Sequence, residues 1–221
     1  MFKKLIFVLI VVVALGLFVK TGFAFDNRDF QYWNTESIDG EINKDVKISF
    51  EEEFRFGDDA AYLYYRHSDL GISYSGLNDW LIFGINYRYV MEKKNGVWEQ
   101  ENRPHLNATV KGKAFDSDLS NRARLEIRDK VGGANSYRYR NKFSIKSPWQ
   151  MTNFAINPYI EDEIFYDFDD HALNRNRIYA GISSKIMDNL KAKIFYLLES
   201  TKSSNKWIDA NVLGTQLQLS F

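Results

Sequence analysis

His67, Ser68 and Asp69 stand side by side, and an imidazole next to a hydroxyl and a carboxylate is the raw material of a hydrolase of the lipase, deacylase or protease type. The spacing works against that chemistry if the segment is a strand. Adjacent side chains then point to opposite faces, so His67 can meet Asp69 but not Ser68. His105 follows Pro104, and His171 adjoins the acidic stretch Asp167-Phe168-Asp169-Asp170. Those carboxylates are hard donors suited to a divalent cation, but the stretch lacks the order of a calcium loop and has no glycine for its turn. Structural roles are expected for the three histidines, with no catalytic residue, metal site or cofactor assigned. The sequence shows no glycine-rich phosphate loop, zinc spacing, dinucleotide fingerprint or internal repeat.

A denser concentration of chemistry lies in charged residues that recur at every second position. They are Glu51, Glu53 and Arg55; Arg88; Arg122, Arg124, Glu126 and Arg128; Arg138, Arg140 and Lys142; Glu161 and Glu163; and Arg177. If these rows share one interior, they form a network of ion pairs that fills it, because an isolated buried charge costs roughly several kcal/mol. The competing reading is a site for an anionic solute or a lipid phosphate, whose oxygens suit Arg forks. The network is the expected reading, with Glu51, Glu53, Glu161 and Glu163 reaching across to the arginines.

The elements that must carry these rows are strands, since each charged row alternates with an apolar one. Val46, Ile48, Phe50, Phe54 and Phe56 oppose Lys47, Ser49, Glu51, Glu53 and Arg55, while Ala123, Leu125 and Ile127 oppose Arg122, Arg124, Glu126 and Arg128. The pattern predicts ten antiparallel strands, near 44–56, 60–75, 79–91, 103–115, 118–130, 136–147, 152–166, 174–187, 189–200 and 207–221. An even number lets a transmembrane β-barrel close, and walking back from Phe221 puts short turns on one rim and mostly longer loops, such as 91–103 and 200–207, on the other. Pro158 is expected to force a bulge or break. Residues 25–43 read as a lead segment in the periplasm or against the lumen. If their Phe30-Gln31-Tyr32-Trp33 joins the wall and another strand divides, the count becomes twelve.

Both ends point to export. Lys3 and Lys4 precede an apolar run from Leu5 to Val19, and Gly22-Phe23-Ala24 supplies small residues for cleavage, which predicts a signal peptide over residues 1–24. The run is short of the about 20 apolar residues of a membrane anchor. Its removal takes three Lys, leaving 26 Lys and Arg against 29 Asp and Glu, a net charge of −3 that gives no support for nucleic-acid binding. Cysteine is absent, so disulfides and thiol chemistry are excluded. At the other end Leu213, Thr215, Leu217, Leu219 and Phe221 alternate with Gly214, Gln216, Gln218 and Ser220. A last strand ending on Phe is the form read by the barrel-assembly machinery of an outer membrane. Aromatic residues make up 16% of the chain, which suits interfacial girdles and would equally suit a soluble β-sandwich.

Several segments together resemble the bacterial outer-membrane barrel family catalogued as domain of unknown function 2490: Glu51 to Asp58, Tyr64 to Gly71, Glu101 to Leu106, Tyr137 to Asn141, Pro158 to Tyr166, Leu173 to Arg177, and the closing strand. The resemblance implies a barrel in the outer membrane and no chemistry. The expectation is therefore an all-β barrel over residues 44–221, in contact with lipid and lipopolysaccharide. It is structural or a narrow solute-binding or passage protein, its lumen filled by ion pairs and too tight for general diffusion. The alternatives are a hydrolase using His67 and a soluble periplasmic lipid-binding β protein with its apolar face inward.

Overall fold

The computed structural model describes residues 27–149, 156–203 and 206–221, so the expected signal peptide lies outside the described residues. The described chain is strand and turn: β1 (Asp29–Glu41), β2 (Val46–Gly57), β3 (Tyr62–Asn78), β4 (Leu81–Lys94), β5 (Val97–Ala114), β6 (Ser117–Lys130), β7 (Ser136–Lys146), β8 (Ile156–Asp167), β9 (Ala172–Met187), β10 (Leu190–Ser203) and β11 (Lys206–Ser220). Each pairs antiparallel with the next, and β1 closes the barrel against β11. Closure matters because an open edge would expose a row of unpaired backbone donors and acceptors.

The strand count corrects the expectation for residues 25–43. Asp29–Glu41 is a wall strand rather than a lead segment, no later strand divides, and the barrel has eleven strands instead of ten or twelve. With an odd number, the first and last strands of an up-and-down barrel run the same way. The β1–β11 seam is accordingly parallel, with Trp33 opposite Gly214 and Thr35 opposite Gln216. Its slanted hydrogen bonds pair the backbone as completely as the antiparallel ladders do, at slightly lower stability per residue.

The connections also differ from expectation. Segments 91–103 and 200–207, read as loops, are mostly strand: β4 and β5 meet at Asn95-Gly96, whose φ angles of 49° and 82° make a primed hairpin turn, and β10 runs on to Ser203. Among connections described in full, the rim that carries Phe221 holds 42–45, 79–80, 115–116 and 188–189, and the opposite rim holds 58–61, 95–96, 131–135 and 168–171, so the described loops of the opposite rim are only slightly the longer. Pro158 keeps register opposite Ile182, and the shift in that ladder falls at Phe165/Tyr166 instead. Pro158 lies just past the β7 pairing, where its carbonyl accepts from the Ser147 amide and the Asn157 side-chain amide, in place of the N–H that Pro lacks, donates to the Ser147 carbonyl.

Side-chain parity follows the alternation. Phe83, Leu125 and Ile85 are 42%, 51% and 63% exposed on the outside, whereas Glu126 and Glu163 on the inside are each 1% exposed. The apolar row coats the barrel and the ionised row lines its axis, the reverse of the soluble alternative. One bulge modifies the interior: Arg55 pairs Tyr65 and Phe56 pairs Leu63, leaving Tyr64 as the extra residue, so that Tyr64 and Tyr65 are both buried. On the opposite wall Gly181 and Gly214 flank Phe195 across the ladders, and a Cβ at Gly214 would overlap the Phe195 ring.

Gly214→Val would drive that ring from its seat. Overpacking of this kind is expected to cost about 1–3 kcal/mol, seen as a lower urea midpoint of tryptophan fluorescence for the refolded barrel. An unchanged midpoint would show that the ring has another place to go.

Candidate functional site

The β6–β7 ladder builds the interior rung by rung. Ser120 pairs Ser144, Arg122 pairs Lys142, Arg124 pairs Arg140 and Glu126 pairs Arg138, all with side chains toward the axis. Two adjacent strands thus bring a column of basic groups that cannot neutralise one another. The carboxylates come partly from within the column and partly from β8. Glu126 accepts from Arg138 Nε and Nη2 at 2.8 and 2.6 Å and from Arg140 Nη1 at 2.8 Å. Glu163 accepts from Arg122 Nη2 and Arg140 Nη2, each at 2.8 Å, with Arg177 at 3.8 Å. Arg140 therefore bridges the two most enclosed carboxylates, and Glu161 takes Lys142 at 2.7 Å.

A second cluster lies on β2 to β5. Arg88 donates Nε to Asp69 at 2.7 Å and Nη2 to Glu51 at 3.2 Å, while His67 sets Nε2 3.0 Å from Glu51 and Nδ1 3.5 Å from Glu53. Glu51, His67 and Asp69 each offer one ligand atom, all within 4.8 Å of one another, a spacing near that of a metal site. The Arg88 guanidinium already stands between the two carboxylates and supplies the positive charge they require. His105 Nδ1 lies 3.2 Å from the Arg103 carbonyl, a contact in which Nδ1–H donates, and its Nε2 faces Asp69 at 3.7 Å. His67 thus sits between glutamates deep in the barrel, and Ser68 pairs on the opposite face with Glu52 and Tyr89, so the hydrolase constellation is not assembled. In the acidic loop, Asp167 accepts the backbone amides of Asp169 and Asp170, folding that loop on itself.

Toward the rim opposite Phe221 the interior closes on aromatic rings. The Arg55 guanidinium lies 3.7 Å from the Trp33 ring centre and 4.2 Å from that of Tyr65, and Arg177 lies 4.8 Å from Trp33 and 4.9 Å from Phe165. Such cation–π stacking lets a guanidinium stay charged while its faces are covered by rings. Trp33 also packs with fully buried Leu197 and Val212. Below this layer a chamber of about 200 Å³ remains, walled by Glu51 and Glu53 on one side and by Arg122, Arg124, Lys142 and Lys193 on others.

Every charged residue singled out from the alternation is in this interior network, but the pairing differs from expectation. Among the described residues Glu51 and Glu53 form no ion pair with the β6–β7 arginines; they pair with Arg55 on their own strand, His67 on the adjacent β3 and Arg88 on β4, the strand beyond. Arg128 is held by Glu101 at 2.8 Å and Arg177 by Glu199 at 2.6 Å. Glu101, Arg103, Glu199 and Lys193 escaped the sequence reading. The signal that could have found the first three was the same every-second-residue rule, in Glu99-Glu101-Arg103 and in Leu197-Glu199.

The family model described as protein of unknown function (DUF2490) matches residues 30–210. No curated protein matches the chain. The matched span starts within the first wall strand and ends within the last.

Removing the carboxylate at the centre of the network tests its weight. Glu126→Ala leaves Arg138 buried without its principal partner and Arg140 with Glu163 alone, and is expected to lower unfolding free energy by about 3–5 kcal/mol. Lys47→Ala, at the half-exposed Lys47–Glu41 pair, should stay within about 0.5 kcal/mol of the parent. Equal effects in chemical denaturation would mean that enclosure does not set the strength of these pairs.

Proposed function

The chain belongs to the family of proteins of unknown function DUF2490, and we propose that it is an outer-membrane β-barrel whose ion-paired lumen is sealed against general diffusion. The observation that carries this reading is the inversion of faces around a closed barrel. Ile85 and Leu125 look outward while Glu126, Glu163 and Arg140 are enclosed along the axis. In water an apolar exterior with buried ion pairs would be doubly unfavourable. In hydrocarbon, the apolar row is solvated by lipid and the closed ladder leaves no backbone group unpaired. Trp80, Phe115, Trp149 and Phe221 near one rim, and Trp98 and Trp207 near the other, supply the aromatic girdles of such a barrel.

In this reading the Phe221 rim is the periplasmic one and the barrel-assembly machinery a partner in biogenesis. Lipid and lipopolysaccharide are then the partners of the outer wall. The role itself is structural or solute-binding. The layer of Trp33, Arg55, Tyr65 and Phe165, with fully buried Leu197 and Val212 beside it, supports a lumen too full for the general diffusion of a porin.

Cell fractionation with heat-modifiable gel mobility, followed by planar-bilayer recording of the purified barrel, tests this directly. Expected are outer-membrane recovery that resists carbonate, a faster-migrating band before boiling, and no steady conductance steps. Release into the soluble fraction without detergent would overturn the membrane assignment, and large steady currents would overturn the seal.

A further inference from the structure

We infer that the interior chamber is a binding site for a single phosphoryl group, entered from the Phe221 rim. The inference rests on the sealed-barrel reading and gives it a ligand class. The starting point is a charge imbalance in an enclosed space. Four glutamates line the chamber, Glu51, Glu53, Glu161 and Glu163, against twice as many Arg and Lys side chains. Carboxylates just behind the wall reduce the excess without removing it. Asp69 takes Arg88, Glu199 takes Arg177 and Arg175, and Glu126 is shared among Arg138, Arg140 and Arg124.

The surplus is localised. Lys193 has no carboxylate within ion-pair distance among the described residues; the carboxylate it faces, Glu161, is already held by Lys142 at 2.7 Å, and its ammonium lies 5.1 Å from the Tyr159 ring. Arg124 gives Nε to the Asn107 amide oxygen and reaches Glu126 only at 3.6 Å. Arg122 commits one Nη to Glu163, and its Nε is buried with no hydrogen-bond partner. Enclosed donors of this kind are costly unless something accepts from them. Two guanidinium forks and an ammonium around one space match a tetrahedral dianion, whose oxygens accept several donors at once. A chamber of about 200 Å³ is several times the space one water requires, which suits a phosphate or a small phosphate ester.

Ser120 and Ser144, the rung next to Arg122 and Lys142, line a wider mouth of about 590 Å³ at the Phe221 rim together with Lys111, Lys113 and Lys146 and with Asp79 and Asp118, the latter 3.8 and 3.9 Å from Lys113 and Lys146. At the far end the Trp33–Arg55–Tyr65 layer closes the chamber, so an anion that enters leaves by the same mouth. That geometry makes the site one for binding rather than for passage.

Lys193→Gln is the informative variant, because it removes a charge that holds no ion pair and so should leave the fold intact. The purified wild-type barrel in a zwitterionic detergent would be titrated calorimetrically with inorganic phosphate, with sn-glycerol 3-phosphate and with a short-chain phosphatidylglycerol, at fixed ionic strength in chloride. Expected is one saturable site per barrel for at least one of these. It should weaken at least tenfold in Lys193→Gln, vanish in Lys193→Gln/Arg122→Gln, and persist in the rim variant Lys47→Gln. Binding of the free phosphates assigns the site to a soluble ligand, and binding of the lipid alone assigns it to a headgroup. No saturable binding to any of the three, or equal binding in Lys193→Gln, overturns the inference. Heat-modifiable mobility and fractionation of the same preparations keep the two readings separable. A folded outer-membrane barrel that binds no phosphoryl group refutes only the site, whereas a preparation soluble without detergent refutes the barrel's placement.

Discussion

Arg140 reaches two carboxylates at once, Glu126 on β6 and Glu163 on β8, and much of the interior is arranged around those contacts. Each glutamate is almost completely enclosed and each gathers further guanidinium groups, Arg138 and Arg124 around one and Arg122 and Arg177 around the other. Neither sign could be enclosed alone, since the desolvation of an unpaired ion exceeds what ordinary packing returns. Carboxylates that accept two or more charge-assisted hydrogen bonds offset that penalty and fix the rotamers of the arginines that make them. The same contacts fill the volume that a row of apolar residues would occupy in a soluble barrel. The outward apolar row is then free to meet a different medium.

The wall makes this arrangement possible and also limits it. Period-two alternation puts all ionised groups of a strand on one face, so the number and register of strands decide which groups meet. Eleven strands bring the first and last into a parallel seam, where Trp33 and Thr35 are set beside Gly214 and Gln216. That seam delivers Trp33 to the closing layer, stacked under Arg55, and the bulge at Tyr64 delivers Tyr65 to the other side of the same guanidinium. Gly214 and Gly181 leave room for Phe195, which borders the chamber. Small departures from a regular barrel, the eleventh strand and the extra residue at Tyr64 among them, thus separate a closed half from a half with a basic chamber.

Much of this was legible in the sequence because the rule is local. Arg124, Glu126, Arg140 and Glu163 fall together on one face by parity alone, and Leu125 and Ile85 on the other. What was not legible depended on long-range register or on segments mistaken for loops. Charge density made 91–103 and 200–207 look like solvated loops, although Asn95-Gly96 marks a tight hairpin and Glu99, Glu101 and Arg103 keep the alternation. Nothing local encodes the parity of the strand count, so Phe30-Gln31-Tyr32-Trp33 could be read as a possible wall strand, but its place in an odd-numbered barrel and its parallel pairing could not. The choice of Arg88 by Glu51, rather than an arginine on β6, is likewise fixed by strand stagger. An extra residue such as Tyr64 leaves no trace in a run of consecutive aromatics.

The central claim is the direction in which the two rows of side chains look, and the absence of cysteine makes it open to single-site labelling. Spin labels on single cysteines replacing Leu125 and Phe143, and Ser120 and Ser144, would be compared in lipid bilayers for collision with oxygen, which concentrates in hydrocarbon, and with a water-soluble nickel chelate. Leu125 and Phe143 should favour oxygen, while Ser120 and Ser144, on the opposite face of β6–β7 and lining the mouth, should favour the chelate or be shielded from both. Oxygen-rich collisions at the two serine positions, with chelate access at Leu125 and Phe143, would contradict it.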